Sequence, residues 1–413
     1  MDELINEQEE FRNNILRALR AAQRRVQTDP KPTLSEQTRQ NARHLLETYA
    51  LDFPAAWPQT RDLLLLLAPK LEQAGYREPW LATLLTALQR SEAVADQAAT
   101  AQIHYHIGEI CRLASRHAEA ERRLQISRSL FAAQEEATKE AQCLNRLAYL
   151  LLRIDRFPEA IAFATQAMQL VEENSLEYSM SLSALGLVAE LQTRSVDAEQ
   201  YHRRALEIRQ AYNVRKEIAW SMQNLGITLR QRGEFEESTR CLRDALHLLA
   251  AEEDIAHKAI VQMNLAANYQ ITGEPQRALG LLSEAESAFN RVSDEFNFAK
   301  LLTTKGLCYL ALRSYEQAES AFTMSAELFD KYDSLGWRLN ALDGVGITYL
   351  EREWYARALQ LFESIAQKLP DIEGTAAHRF LAATLPRQIE QARTQHVNIG
   401  SAVFQYEKET LLD

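Results

Sequence analysis

The stretch Asn224–Leu246, NLGITLRQRGEFEESTRCLRDAL, decides the fold. It opens on an aliphatic–small pair, Leu225-Gly226. A small residue, Ser238, follows 12 positions after the glycine, and another, Ala245, 7 positions later. Gly233 lies between them. Two amphipathic helices joined by a tight turn account for all of this. Small residues at matched positions let the helices approach until ridges enter grooves. A glycine closes the first helix where a positive φ is useful.

The same register recurs on both sides. The pairs are Leu67-Ala68, Ile107-Gly108, Leu147-Ala148, Leu185-Gly186, Leu225-Gly226, Leu265-Ala266 and, in weaker form, Lys305-Gly306 and Val345-Gly346. Their small members are 40, 40, 38, 40, 40, 40 and 40 residues apart. The second slot reads Trp80, Ala120, Ala160, Ala198, Ser238, Ala278, Ala318, Ala358. The third reads Ala87, Ser127, Ala167, Ala205, Ala245, Ala285, Ser325, Ile365. Gly75 and Gly273 share the turn slot with Gly233. Pro79, Pro158 and Pro275 fall in the first turn of the second helix, where proline is tolerated. Three registers agreeing over eight units predict an all-α array of about eight helix-turn-helix repeats.

Three positions after each small residue stand Leu71, Cys111, Leu151, Ala189, Leu229, Tyr269, Tyr309 and Tyr349. On these residues, and on GVGITYLEREWYARALQLF at Gly344–Phe362, the chain resembles the tetratricopeptide repeat (TPR) family over about residues 60–370. The resemblance implies a right-handed superhelical solenoid with helical caps, whose first helices line a concave face that holds partners. The family's period is about 34 residues. The longer period here is similar to that of kinesin light chain arrays, bacterial peptide-responsive regulators and the sensor arms of signal-transducing NTPases. It calls for longer connections between units or longer helices. Trp80 in a small slot and Pro69 inside a helix mark the first unit as the irregular one.

Composition agrees. The 413 residues carry a net charge of −11 and only 13 Gly and 10 Pro, which favours long helices with short loops. A prior of about 150 residues per domain suggests two or three domains, but an array makes one continuous body. Net acidity argues against a nucleic-acid binder that neutralises phosphates. The longest leucine run, Leu63–Leu67, is too short to span a bilayer. No secretory leader is legible in the first twenty residues. Cys111, Cys143, Cys241 and Cys308 sit in apolar helical patterns and read as buried, reduced thiols. A cytoplasmic protein is expected, with no membrane and no nucleic-acid partner.

The flanks also read as helical. Leu4, Phe11, Ile15, Leu19, Ala22 and Val26 make an apolar stripe over residues 1–27, with acids at the start and arginines at the end, as the helix dipole favours. Asp29-Pro30-Lys31-Pro32 breaks it, and Thr33 to Glu36 fits a capping box for a second helix reaching about Tyr49. This region reads as a cap over the first repeat or as a docking or dimerisation helix. Ala376, Phe380, Leu381, Leu385 and Ile389 share a face of a final helix over 375–394, bent at Pro386. The expected organisation is an N-terminal helical cap or docking region at 1–59, the repeat solenoid at 60–370, a capping helix at 371–395 and a flexible tail at 396–413.

No catalytic constellation is legible. Nothing matches a phosphate loop, and Gly344-Val345-Gly346 lacks the third glycine of a dinucleotide turn. His104 and His106 are two apart on a helix and point to different sides, so they cannot chelate together. The chain is expected to be no enzyme, with no metal and no cofactor. What remains is surface. Positions 3 and 2 before the small residue face the groove that the resemblance implies, and they read Asn145-Arg146, Gln223-Asn224 and Met263-Asn264 in the middle repeats. A carboxamide donates and accepts at once, so a ladder of them can hold the amides of an extended peptide. Tyr149, Arg153, Arg230 and Asn268 extend the surface, and the arginines suit carboxylates. The candidate contacts are therefore Asn145, Arg146, Tyr149, Arg153, Gln223, Asn224, Arg230, Asn264 and Asn268, for a protein or extended peptide partner. The activity expected is that of a scaffold or adaptor, or of a sensor whose superhelix changes shape on binding and controls an effector. Trp220 and Trp337 read as exposed anchors or as filler between repeats.

Overall fold

The computed structural model of the chain describes residues 2–29, 34–73, 77–154, 156–250, 254–292 and 294–394. Among them there is no strand. The chain folds into two compact units, one ending at Ser181 and the other starting at Leu182. The first unit contains α1 (Asp2–Thr28), α2 (Glu36–Leu45), α3 (Trp57–Gln73), α4 (Arg77–Ala93), α5 (Gln97–Leu113), α6 (His117–Ala133), α7 (Ala137–Leu152), α8 (Phe157–Leu170) and the start of α9 (Leu176–Leu191). The second contains the rest of α9 and α10 (Ser195–Ala211), α11 (Arg215–Gln231), α12 (Phe235–Leu249), α13 (Ile255–Ile271), α14 (Pro275–Val292), α15 (Glu295–Ala311), α16 (Tyr315–Lys331), α17 (Leu335–Glu351), α18 (Tyr355–Lys368) and α19 (Ala376–Thr394). Consecutive helices pack as pairs, so the protein is an all-α helical repeat solenoid.

The 40-residue period comes from longer helices. Most run to 17 residues, and three-residue turns follow first and second helices alike. At nearly every turn one residue takes a positive φ, at Ala95, Ser115, Glu135, Thr193, Asn213, Gly233, Gly273, Arg313, Asp333 and Glu353. Around Gly233 the amide of Glu234 reaches back to the carbonyl of Leu229 at 2.8 Å and that of Gly233 to Arg230 at 2.9 Å, closing the helix end. Gly75 lies outside the described residues. The odd spacing of 38 falls where α8 is shortened to 14 residues.

The small-residue slots work as close approaches. Ala120, Ala198, Ala278, Ala318 and Ala358 have no exposed surface, and Trp80, in the same slot of the irregular first unit, is also fully buried. Phe322 of α16 lies between two glycines. A methyl at Gly306 would lie 2.7 Å from its ring, and one at Gly344, 2.6 Å.

The ends hold finer differences. Ile15, Leu19 and Val26 of α1 are buried, and α1 packs on α3. Phe11, expected in the same stripe, is half exposed and meets Phe53 edge-on at 5.9 Å between ring centroids. Leu4 and the proposed capping residue Thr33 fall outside the described side chains. The cap of α2 is Ser35, whose hydroxyl accepts from the Thr38 amide while donating to Asp29. The chain continues through a π turn at Leu46–Ala50. Helix α3 runs unbroken through Pro69 and α19 through Pro386. In the second unit, Arg379 of α19 donates to the carbonyl of Leu191 at the end of α9, 188 positions earlier. The tail beyond 394 lies outside the described residues.

Candidate peptide-binding surface

The candidate contacts all ride on first helices, α7 in one unit and α11 and α13 in the other. Regular helix places them where the sequence register put them, but most are interior rather than solvent-facing.

In the first unit, Asn145 is 1% exposed. Its Nδ2 donates to the Glu177 carbonyl at 3.0 Å, and its Oδ1 accepts from Ser181 at 2.7 Å. Arg146 donates from Nε to the Tyr105 hydroxyl at 3.0 Å and lies 3.2 Å from Glu109. Glu109 is clasped by Arg112 as well, at 2.8 Å. Burial opposes ionisation of Glu109, yet the two guanidiniums outweigh it and bring its carboxyl down to about 2. Tyr149 donates to the Met180 carbonyl at 3.3 Å, and Arg153 is exposed where α7 ends. His106 meets Glu72 of α3 at 2.8 Å while His104 faces Arg123, so the two histidines do part.

In the second unit, Arg230, Asn264 and Asn268 come together. Arg230 donates to the Asn264 carbonyl at 3.3 Å and to the Asn268 Oδ1 at 3.4 Å. Burial brings its pKa down to about 10, partly opposed by the charge of Glu190. Asn268, with no exposed surface, donates to Ser238 at 2.7 Å and Thr239 at 3.2 Å. Asn264 returns its Nδ2 to its own helix, to Ile260 at 3.1 Å. Gln223 and Asn224 differ: Gln223 Oε1 and Asn224 Nδ2 are buried and have no protein partner. Trp220 lies against His257, with ring centroids 5.1 Å apart, and Trp337 stacks on Phe329 at 5.4 Å beneath Lys300. Both fill space between repeats.

A buried polar cluster around His202 goes beyond what the repeat register predicts. His202 is fully buried, bonds Glu190 at 3.0 Å, and its ring lies where a methyl at Gly186 would have to go. Thr228 donates to the same carboxylate. The signal was present in the sequence. Sixteen residues after the small residue, Leu124, Leu242, Phe322 and Phe362 are apolar, and His202 alone among these is not. The cysteines are free thiols, three of them buried, and burial pushes Cys143 up to about 12. Among the described residues no helix is long and apolar enough to cross a membrane.

No curated protein matches the sequence. The tetratricopeptide repeat model matches residues 99–173, 139–211 and 177–251. Two solved structures share the fold. A Rap protein complexed with competence and sporulation factor is 14% identical, with 81% of this chain and 99% of that chain covered and a TM-score of 0.52. Aspartyl phosphate phosphatase F from Bacillus subtilis is 12% identical, with 86% and 93% covered and a TM-score of 0.52. At such identity they are likenesses of fold. Residues 99–251 thus match the tetratricopeptide repeat model, and the array of paired helices continues on both sides of them as an all-α helical repeat solenoid.

Proposed function

We propose that the chain is a non-enzymatic scaffold or adaptor of the cytoplasm that holds an extended segment of a partner protein, or a peptide, along the first helices of its repeats. The observation that carries this reading is the pair Gln223 and Asn224. One offers an unpaired acceptor and the other an unpaired donor on adjacent residues of α11, both buried. An unmet buried polar group costs about 1–3 kcal/mol. A peptide backbone brings one N–H and one C=O per residue and satisfies both kinds. Asn145, Arg146, Tyr149, Arg153, Arg230, Asn264 and Asn268 extend the proposed contacts, the arginines suiting carboxylates.

The test is selection of a displayed random-peptide library on the full chain. Enriched peptides should lose at least about tenfold in affinity, or 1.4 kcal/mol, when Gln223→Ala and Asn224→Ala are combined. Undiminished binding by the double variant overturns the assignment of these residues, and a library that never enriches overturns the peptide reading.

A second reading, a sensor that changes shape, draws on the contact between Arg379 and Leu191. Repeat arrays touch mainly their neighbours, so a bond across 188 positions responds to small rotations summed over many repeats. Small-angle scattering with and without a selected peptide separates the readings. Unchanged curves, matching those of Arg379→Ala, would leave a passive scaffold.

A further inference from the structure

The second helices of the repeats differ in where they stop. Helices α6, α10 and α16 end at Ala133, Ala211 and Lys331, each six residues beyond the small residue of the third slot. Helix α12 ends at Leu249, only four residues beyond Ala245. The amide of Ala250 reaches the His247 carbonyl at 3.3 Å and closes the helix there. Helices α11 and α12 are antiparallel neighbours, so the end of α12 lies beside the start of α11. The half-turn that the other second helices carry is missing at this point.

A cavity of about 590 Å³ lies in this place, within the second unit. Ile218 of α11 and Leu248 and Ala250 at the end of α12 give it an apolar wall. Asn213, Arg215 and His247 also line it, and all three are exposed. Among the described residues that line it there is no acid. Glu217, the acid in the first turn of α11, lies 3.8 Å from Arg209. Arginine in this protein is commonly tied to a carboxylate, as in Arg112 with Glu109 and Arg352 with Glu319. Arg215 makes no ion pair among the described residues, and neither it nor His247 spends a side-chain hydrogen bond there. Small-molecule sites are concavities of about 300–1,000 Å³, mostly apolar, with a few polar groups that fix orientation. This cavity has that size and that division.

We propose that it binds an aliphatic carboxylate. The hydrocarbon part lies on Ile218, Leu248 and Ala250. The carboxylate accepts from the guanidinium of Arg215, with the Asn213 amide and a ring nitrogen of His247 as further donors. A guanidinium stays protonated in proteins and presents its donors as a fork that fits a carboxylate. An inorganic anion would leave the apolar wall in water, and an alcohol would leave Arg215 without a counter-charge. The combination of wall and fork therefore sets the class. A free straight-chain acid and the C-terminal leucine of a peptide both carry this chemistry. Gln223 and Asn224 lie more than a turn further along α11, so the site does not rest on the peptide reading given above.

The experiment is titration calorimetry of the full chain. Octanoate and N-acetyl-leucine are the probes, each beside its uncharged counterpart, octanol and N-acetyl-leucinamide. At least one acid should bind at a single site, about tenfold or more tighter than its counterpart. The tighter of the two acids names the source. Arg215→Ala should bring that acid down to the level of its counterpart. Ala250→Phe, at an exposed position, fills the cavity and should abolish binding of acid and counterpart alike. Circular dichroism establishes that both variants are folded. The wild-type comparison decides without any variant: if neither acid binds, or neither binds better than its counterpart, the proposal is overturned. Affinity for the acid that survives Arg215→Ala or Ala250→Phe in a folded chain overturns it as well.

Discussion

Gln388 of α19 donates to the Asp343 carboxyl of α17 at 3.4 Å, and the remaining oxygen of each side chain, Asp343 Oδ1 and Gln388 Oε1, is buried without a partner. A proton on Asp343 Oδ1 would let it donate to Gln388 and complete the pair. Burial pushes this carboxyl up to about 7, although the bond from Gln388 favours the charged form. An unfolded aspartate titrates at about 3.9.

Below about pH 4 both states are protonated and Asp343 contributes no difference. Between there and about pH 7 the folded state holds the extra proton, so stability falls as pH rises. The loss is at most about 1.4 kcal/mol per pH unit and is complete above the folded value. Asp343→Asn removes this dependence and should be the more stable chain at mildly alkaline pH. Urea unfolding of both chains across pH measures the difference, and parallel stability curves would show that Asp343 is not a proton holder.

The ring of Phe322 leaves no room beside Gly306 or Gly344. Replacing either glycine by alanine should destabilise by about 1–3 kcal/mol through overpacking. Gly280, an exposed residue inside α14 with nothing within 4 Å of a built methyl, gives the opposite case. Gly280→Ala should stabilise by about 0.5–1 kcal/mol. Thermal melts of the three variants should bracket the wild type, and equal shifts in one direction would contradict the packing described.

Glu353 takes a φ of 62° at a turn, a conformation costly for a side chain with a Cβ. Glu353→Gly should stabilise by up to about 1 kcal/mol, and Glu353→Val should destabilise by at least as much. Chemical denaturation reads both, and a valine variant as stable as wild type would show that the turn relaxes.

His202→Leu restores the apolar pattern of its slot but takes away the Nε2 partner of buried Glu190. A loss of about 1–3 kcal/mol is expected, as for a buried polar group left without one of its partners. Adding Glu190→Gln should recover part of it by replacing the carboxyl that lost its partner. If the double variant is no better than the single one, the loss comes from packing and not from the carboxylate.

The repeats were legible because helix pairing is a local, periodic demand. Each pair needs small residues at its crossing, and Gly226, Ser238 and Ala245 state that demand within one stretch of chain. The turns were legible at Gly233 and Gly273, and hidden at Glu353 and Arg313, where the same backbone is held by longer side chains. The length of the helices was not settled by the period, since longer loops would have served it equally. Hydrogen bonding of both turns at three residues decided it.

The candidate contacts show where sequence stops. That Asn145 and Asn224 stand on first helices followed from counting alone. Whether a carboxamide is spent or free depends on what the neighbouring repeat presents. Asn145 is engaged by Ser181, 36 positions on, while Asn224 Nδ2 has no hydrogen-bond partner in the protein. The same holds for Asp343, an ordinary acid until α19 folds Gln388 over it. Composition and spacing by themselves determined the helical array, because its packing repeats. The burial and pairing of each polar group were decided only by tertiary structure, because desolvation depends on atoms brought together from distant parts of the chain.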